Sequence, residues 1–153
     1  MKGAGRSPVF TRLTEGGQLL IWAMRQWMVA MLQRRCVPVS VMRSFETVGG
    51  ARVFRSMTAM VLLAARDADR PLLIHPPCRE ELSADEERIA EVLAALRRGS
   101  ITAARVHLCA LIDDEPSAAL QRHAQIVADC FRCAGLPVGI EGPVEWQAPA
   151  TNR

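Results

Sequence analysis

Tyrosine is absent from this chain of 153 residues, lysine occurs once, and only 5% of the residues are aromatic. The core must therefore be built from aliphatic side chains and methionine, and arginine carries almost all of the positive charge. Half of the residues are apolar and 23% are charged, a balance that excludes an intrinsically disordered chain. The length is that of one domain, large enough to bury a core without disulfide bonds.

The sequence also lacks an apolar run long enough to cross a membrane. The first seventeen residues contain no apolar stretch of the kind that a secretory signal needs. The apolar stretch Leu19–Leu32 covers fourteen residues and is interrupted by Arg25 and Gln26, whereas a transmembrane helix needs roughly twenty. Five cysteines, an odd number, are typical of a reducing compartment when no signal is present. We therefore expect a soluble, cytoplasmic protein with no membrane span.

Positive and negative charges are unevenly divided along the chain. Residues 1–70 carry eleven Lys or Arg and four acidic residues. Residues 71–153 carry eight Arg and twelve acidic residues, so the net charge of the whole chain is +3. The basic half could attract an acidic partner, nucleic acid or an anionic membrane. Because no basic cluster is larger than Arg34-Arg35 or Arg97-Arg98, we favour attraction between the two halves within the fold.

Apolar periodicity and capping residues predict an all-α fold, a single-domain bundle of about six helices. The clearest signal is the stretch 83–86, a capping box in which Ser83 and Glu86 exchange side-chain-to-backbone hydrogen bonds. Ser100 and Ser117 are predicted to cap the next two helices. The first helix is apolar almost all round and is expected at the centre of the bundle. The expected helices cover about residues 15–35, 39–48, 51–68, 84–98, 101–112 and 118–133.

Proline and glycine mark the remaining segments. Residues 1–12 are expected to form a flexible N-terminal arm, residues 13–147 the helical domain, and residues 148–153 a disordered tail. Leu72–Ile74 lies between prolines and is predicted to be extended. Val138–Ile140 could pair with it as a minimal two-stranded β appendix, and Trp146 is expected to anchor the C-terminal segment on the bundle.

Two short cysteine-containing motifs are the candidate metal ligands. Zinc is bound tetrahedrally by four N or S ligands, and two-residue spacing lets two ligands reach one ion. The motifs are His75-x-x-Cys78, in a proline-rich turn, and Cys130-x-x-Cys133, at the end of a helix. Cysteine is also one of the most commonly buried residues, so the competing interpretation places these side chains in a turn and in the core. A metal-binding (Zn or Fe) or small enzyme domain using all four residues is our second hypothesis, and no other cofactor is expected.

A small enzyme could use a polar cluster of His75, Asp85, Glu86 and His107 for acid–base chemistry. However, the capping box already accounts for Glu86, and the helix dipole favours an acid at Asp85. No set of nucleophile, base and orienting residue can be assembled from the spacing. The sequence therefore does not favour an enzyme.

Residues 85–111 also resemble a helix-turn-helix, with a short glycine-containing turn between two helices. Arg97 and Arg98 lie at the turn, and the second helix offers Thr102, Arg105 and His107 as readers of base edges. Because these readers are few and the flanking helices are acidic, DNA binding is our third hypothesis and is not favoured.

The first helix carries a set of large, adaptable side chains that could contact a partner. Methionine is flexible and polarizable, and exposed tryptophan often anchors a protein interface. Trp22 and Trp27 are five residues apart and cannot share one helix face, so at least one is expected at the surface. The candidate partner-binding residues are Trp22, Met24, Trp27, Met28 and Met31; the competing interpretation is that the methionines fill the core.

Three stretches of the chain resemble a group of small helical bacterial proteins. They are "LT…QLLIWAMRQW", "RPLLIHPPC…LSADE" and "LAALRRGSITAARVHLCALI". The resemblance covers about three quarters of the chain and implies a helical fold, with no assigned activity. Some of those proteins have a second cysteine two residues after the first, where this chain has Glu80, which weakens a metal site carried over to Cys78.

The leading hypothesis from the sequence is a non-enzymatic helical domain that binds another protein. It depends on the first helix, which is rich in Met and Trp, and on the uneven distribution of positive and negative charge along the chain. It also depends on the lack of a recognisable set of catalytic residues. Self-association of the chain is compatible with the same features.

Overall fold

The computed structural model describes residues 8–140, which form six α-helices and two short 3₁₀ helices. The expected all-α bundle is confirmed. The helices are α1 (Glu15–Leu32), α2 (Val39–Ser44), α3 (Ala51–Asp67), α4 (Ala84–Arg97), α5 (Ile101–Ile112) and α6 (Ala118–Cys133), and the 3₁₀ helices are Phe10–Arg12 and Glu46–Val48. No helix within residues 8–140 is long and apolar enough to cross a membrane.

Serine caps fix the starts of the last three helices, as the sequence predicts. The side chains of Ser83, Ser100 and Ser117 each accept a hydrogen bond from the amide three residues later. At Ser83 the reciprocal bond is also formed, because Glu86 accepts from the Ser83 amide at 2.9 Å. These bonds satisfy amides that would otherwise have no partner in the first turn.

The first helix ends earlier than expected, at Leu32 and not near Arg35. Arg34 has φ +53°, a left-handed conformation that ends an α-helix. The Arg34 amide donates to Met31 O and the Arg35 amide donates to Ala30 O, so the last carbonyls of α1 are satisfied by the turn.

The most deeply buried helix is α4, and the prediction that α1 occupies the centre of the bundle is wrong. Nine of the 14 residues of α4 are buried, against nine of the 18 residues of α1. α4 packs closely against α5 and α6, and α3 packs against α6. α1 contacts α2, α3 and α4 less closely, and Met31 and Leu32 in its last turn are exposed.

The predicted β appendix is also wrong, because Leu72–Ile74 and Val138–Ile140 do not pair. Residues 8–140 contain only two isolated antiparallel bridges, Val9 with Glu81 and Leu13 with Ile140. The physical reason is that the backbone of Leu73 already bonds to side chains at the start of α4. Its amide donates to Asp85 Oδ2, and its carbonyl accepts from Oγ of the N-cap residue Ser83.

The start of α1 is attached to the segment that follows α6. Thr14 Oγ1 and the Gly16 amide both donate to Pro137 O, at 2.8 and 2.9 Å. The Thr14 amide donates to Gly139 O at 3.0 Å. A Cβ atom at Gly16 would lie well inside 3.0 Å of Pro137 O, so the approach of the two backbones requires glycine.

Residues 8–12, part of the expected flexible arm, are held against the α3–α4 loop (residues 68–83). The Phe10 amide donates to Glu80 O at 2.6 Å, and the Leu82 amide donates to Pro8 O at 2.8 Å. The remainder of the expected arm, the expected anchor Trp146 and the expected tail 148–153 lie outside the described residues.

Candidate functional site

The α3–α4 loop is held by two buried carboxylates in the first turn of α4. Glu86 is fully buried. Its Oε1 accepts from the His75 amide at 3.0 Å, and its Oε2 accepts from the Ser83 amide at 2.9 Å. The capping box therefore reaches beyond its own helix and fixes both ends of the segment 75–83.

Arg25 of α1 neutralises Glu86. The side chain of Arg25 is buried, with the residue 1% exposed, and its Nε and Nη2 donate to the two carboxylate oxygens of Glu86, each at 2.8 Å. The guanidinium also donates to Arg79 O at 2.6 Å and to Glu81 O at 2.9 Å. A buried charge pair is tolerated only when such additional bonds satisfy its remaining polar atoms, and here they tie α1 to the loop.

Asp85 holds the outer side of the same loop. It accepts two hydrogen bonds from Arg70, at 2.7 and 2.8 Å, and one from the Leu73 amide at 2.7 Å. Burial alone would raise the pKa of Asp85, but the bonds from Arg70 and Leu73 and the charge of Arg70 outweigh it, so the pKa lies below its usual value of 3.8. The Arg70 side chain is 48% exposed, so this pair, unlike Arg25–Glu86, is partly screened by water.

The loop, the N-terminal residues and α1 together enclose a cleft of about 360 Å³, which we call the Trp22 cleft. Its walls come from residues 9–11 on one side and residues 77–80 on the other, and Trp22 and Arg25 of α1 complete it. Phe10 also lies over Arg25, with 5.7 Å between the guanidinium carbon and the ring centroid. Because Arg25 bonds to Glu86 and to the Arg79 carbonyl, the buried ion pair holds the loop that lines the cleft.

Trp22 is the candidate contact residue of this cleft. It is half-buried, and its indole N–H makes no hydrogen bond within residues 8–140. Cys78 also lines this cleft, and it is exposed. Arg79 and Glu81 form an exposed ion pair at 3.4 Å beside it, so charges of both signs surround an apolar centre.

The four expected metal ligands do not come together. Cys78 lines the Trp22 cleft, whereas Cys130 and Cys133 line a separate cavity of about 250 Å³ beside Gly49 and Arg52. Within residues 8–140, no group of three or more His, Cys, Asp or Glu side chains is placed to hold a metal ion. The expected approach of the two motifs depended on the β pairing that the structure does not form.

Cys130 is a core residue. It is buried, and burial raises the pKa of its thiol. A raised pKa disfavours the thiolate, which is the form that binds metals and attacks disulfides. Cys133 is exposed, so the two thiols of the C-x-x-C motif have different surroundings.

The polar cluster considered for acid–base chemistry is divided between structural roles. Asp85 and Glu86 hold the loop, and the bond between Glu86 and His75 uses the His75 backbone amide, not its ring. His107 lies 3.1 Å from Arg88 through Nδ1 and Nη1, and it joins neither carboxylate among the described residues.

The expected DNA-reading residues of α5 are partly engaged within the domain. Arg105 forms an ion pair with Glu115, and His107 contacts Arg88, whereas Thr102 is exposed. At the α4–α5 turn, Arg97 is half-buried and Arg98 is exposed.

The expected partner-binding residues of α1 divide between core and surface. Met24 is fully buried and Trp27 is 6% exposed, so neither can contact a partner in this structure. Trp22 and Met28 are half-buried and Met31 is exposed. Trp22 is the more accessible of the two tryptophans, but neither of them is exposed as the sequence predicts for at least one.

Sequence reasoning missed the roles of Arg25 and Arg70. From the sequence alone, Arg25 is only an interruption of an apolar helix, and Glu86 is only part of a capping box. The available signal was the combination of one arginine inside an otherwise apolar stretch of α1 with a first turn of three acidic residues, Asp85, Glu86 and Glu87. A charge at a core position needs a partner of opposite sign.

No known family model, curated protein or solved structure matches this chain.

Proposed function

We propose that this protein is a non-enzymatic helical interaction domain that binds a segment of another protein and receives an apolar side chain of that segment in the Trp22 cleft. The observation that carries the proposal is Trp22 itself, a half-buried tryptophan in an open, largely apolar cleft of about 360 Å³, whose indole N–H has no acceptor within residues 8–140. Tryptophan at such positions contributes disproportionately to binding free energy.

The composition of the cleft supports a protein ligand. Phe10, Trp22 and Pro77 supply apolar surface, and Arg79 and Glu80 supply a polar rim. An apolar centre with a charged rim is the usual anatomy of a protein interface. The indole N–H offers one hydrogen bond that would fix the orientation of a bound carbonyl group.

The rigidity of the cleft also favours binding. Arg25 and Glu86 fix the loop wall through hydrogen bonds to backbone atoms of Arg79, Glu81, His75 and Ser83. A wall that is ordered before binding loses little conformational entropy when a ligand arrives.

The test is a selection of random peptides on the wild-type protein, followed by affinity measurements on variants. We expect enriched peptides to share an aromatic or aliphatic anchor and to bind Trp22→Ala at least about tenfold more weakly. Trp22→Phe keeps an aromatic ring in the cleft and is expected to give an intermediate affinity. Leu62→Ala is the matched control, because Leu62 is an exposed apolar residue of α3 that does not line the cleft.

Two results would contradict the proposal. The first is a set of enriched peptides that bind wild type and Trp22→Ala equally. The second is an NMR titration in which small apolar molecules change the chemical shifts of Phe10 and Trp22, whereas no peptide changes them. The second result would make the cleft a small-molecule site.

A further inference from the structure

The corner between α1 and α2, residues 31–40, is an exposed segment that carries large apolar side chains. Nine of these ten residues are exposed. Three are large apolar side chains, Met31 at 52%, Leu32 at 77% and Val39 at 65% exposure. Exposed apolar side chains grouped at one corner mark a contact surface more often than single ones do.

The charged residues of this corner and of the adjoining helix α2 are all arginines. Arg34, Arg35 and Arg43 are exposed, and none of them forms an ion pair or side-chain hydrogen bond within residues 8–140. Along the chain, no acidic residue occurs between Glu15 and Glu46. Among the described residues, the corner and the start of α2 therefore present apolar groups together with guanidinium groups that form no ion pair.

Arg34 occupies a backbone position that suits glycine. With φ +53°, it stands just after the helix end, where the left-handed conformation is unfavourable for a residue with a Cβ atom. The turn needs only the backbone amides of Arg34 and Arg35. The fold alone therefore gives no reason for an arginine side chain at this position.

We propose that the α1–α2 corner docks on an anionic lipid surface, with Leu32, Met31 and Val39 entering the acyl–headgroup boundary and the three arginines contacting lipid phosphates. Apolar side chains combined with arginine match that boundary. The surface is distinct from the Trp22 cleft, so the two proposals can fail separately.

The test is cosedimentation of the full chain with vesicles of phosphatidylcholine alone or with about 30% phosphatidylglycerol. We expect binding only to the anionic vesicles at about 0.1 M salt, and its loss at about 1 M salt. Leu32→Glu is expected to lower the partition coefficient about tenfold or more, and Arg35→Gln about fivefold. Ile101→Glu makes the same change at an exposed residue of α5 and is expected to alter binding less than about twofold.

Arg34→Gly separates folding from docking. Because glycine suits the backbone there, we expect the melting temperature to rise by about 2–4 °C while vesicle binding falls about fivefold. No binding to anionic vesicles at low salt, or binding that Leu32→Glu and Arg34→Gly leave unchanged, would overturn the proposal. Binding to duplex DNA that depends on Arg34 and Arg35 but not on Leu32 would also overturn it and would identify a nucleic-acid surface.

Discussion

Large apolar side chains occur along most of α1, but those before Met31 and those from Met31 onward have opposite surroundings. The anchored part, residues 15–30, touches the segment after α6 at Gly16 and forms the buried pair with Glu86 through Arg25. The α1–α2 corner, which begins at Met31, is exposed on nearly every residue. The comparison shows that apolar character along a helix does not by itself identify its buried face; the partners that the rest of the chain supplies decide it.

The buried charge is the feature that best distinguishes the anchored part. A buried ion pair adds little net stability relative to apolar residues of the same size, but removing one partner leaves an uncompensated charge. In this fold the pair also accepts and donates backbone hydrogen bonds of the loop. We infer that its main effect is to select one loop conformation, and with it the shape of the Trp22 cleft.

The largest effect is expected from Glu86→Ala. This change removes the partner of Arg25 and the acceptor of two loop amides, so we expect a loss of about 3–5 kcal/mol in the free energy of unfolding. Urea denaturation measures the loss. Glu87→Ala is the matched control, since Glu87 is also in the first turn of α4 and is expected to cost less than about 1 kcal/mol. Equal losses in the two variants would mean that helix-dipole effects, and not the Arg25 pair, matter here.

A second test of the anchored part is Gly16→Ala. In an ordinary helix this change stabilises by about 0.5–1 kcal/mol. Here the added Cβ would collide with Pro137 O and crowd Phe131 and Val138, so we expect a loss of about 1–3 kcal/mol. Thermal or urea unfolding gives the sign directly, and a stabilised variant would show that α1 does not approach the segment 137–139 this closely.

Asp85→Asn is expected to have a smaller, pH-dependent effect. The pKa of Asp85 is lowered in the folded protein, so its contribution to stability is complete above the unfolded pKa of about 3.9 and is lost as the pH falls through the folded pKa. We expect Asp85→Asn to cost about 1 kcal/mol at pH 7, because Arg70 is half exposed and its charge is screened. Urea titrations at a series of pH values should show that the difference in stability between wild type and Asp85→Asn becomes smaller in acid. A difference that does not change with pH would contradict the lowered pKa of Asp85.

The smallest effect is expected at the corner. Leu32 is 77% exposed, so Leu32→Glu should change the free energy of unfolding by less than about 0.5 kcal/mol. The corresponding change at Ile21, which is fully buried in the anchored part, should prevent stable folding, since it buries an unpaired charge. Similar losses at both positions, measured by urea denaturation, would remove the difference between the two ends of α1.

The helices were predictable because their signals are local. The serine caps lie next to the helices that they start, and the starts of α4, α5 and α6 agree with the structure. The sequence predicts the end of α1 too late because Arg34 adopts the left-handed conformation, which an arginine does not signal.

The non-local features were not predictable from spacing. The β appendix was expected because two extended segments existed, but the backbone of Leu73 bonds instead to side chains of Asp85 and Ser83. The grouping of Cys78 with Cys130 depended on that pairing and is absent from the described residues. The Trp22 cleft could not be foreseen, because residues 9–11 form one of its walls and that segment was expected to be flexible.

Hydrogen exchange at three successive amides of the α3–α4 loop tests the central claim most directly. The Leu73 and His75 amides donate to the buried carboxylates of Asp85 and Glu86, whereas the Ile74 amide between them has no acceptor within residues 8–140. Exchange measured by NMR should therefore be slower at Leu73 and His75 than at Ile74, by at least about a hundredfold. Equal, fast exchange at all three amides would show that the carboxylates do not hold the loop and would contradict the account of the cleft.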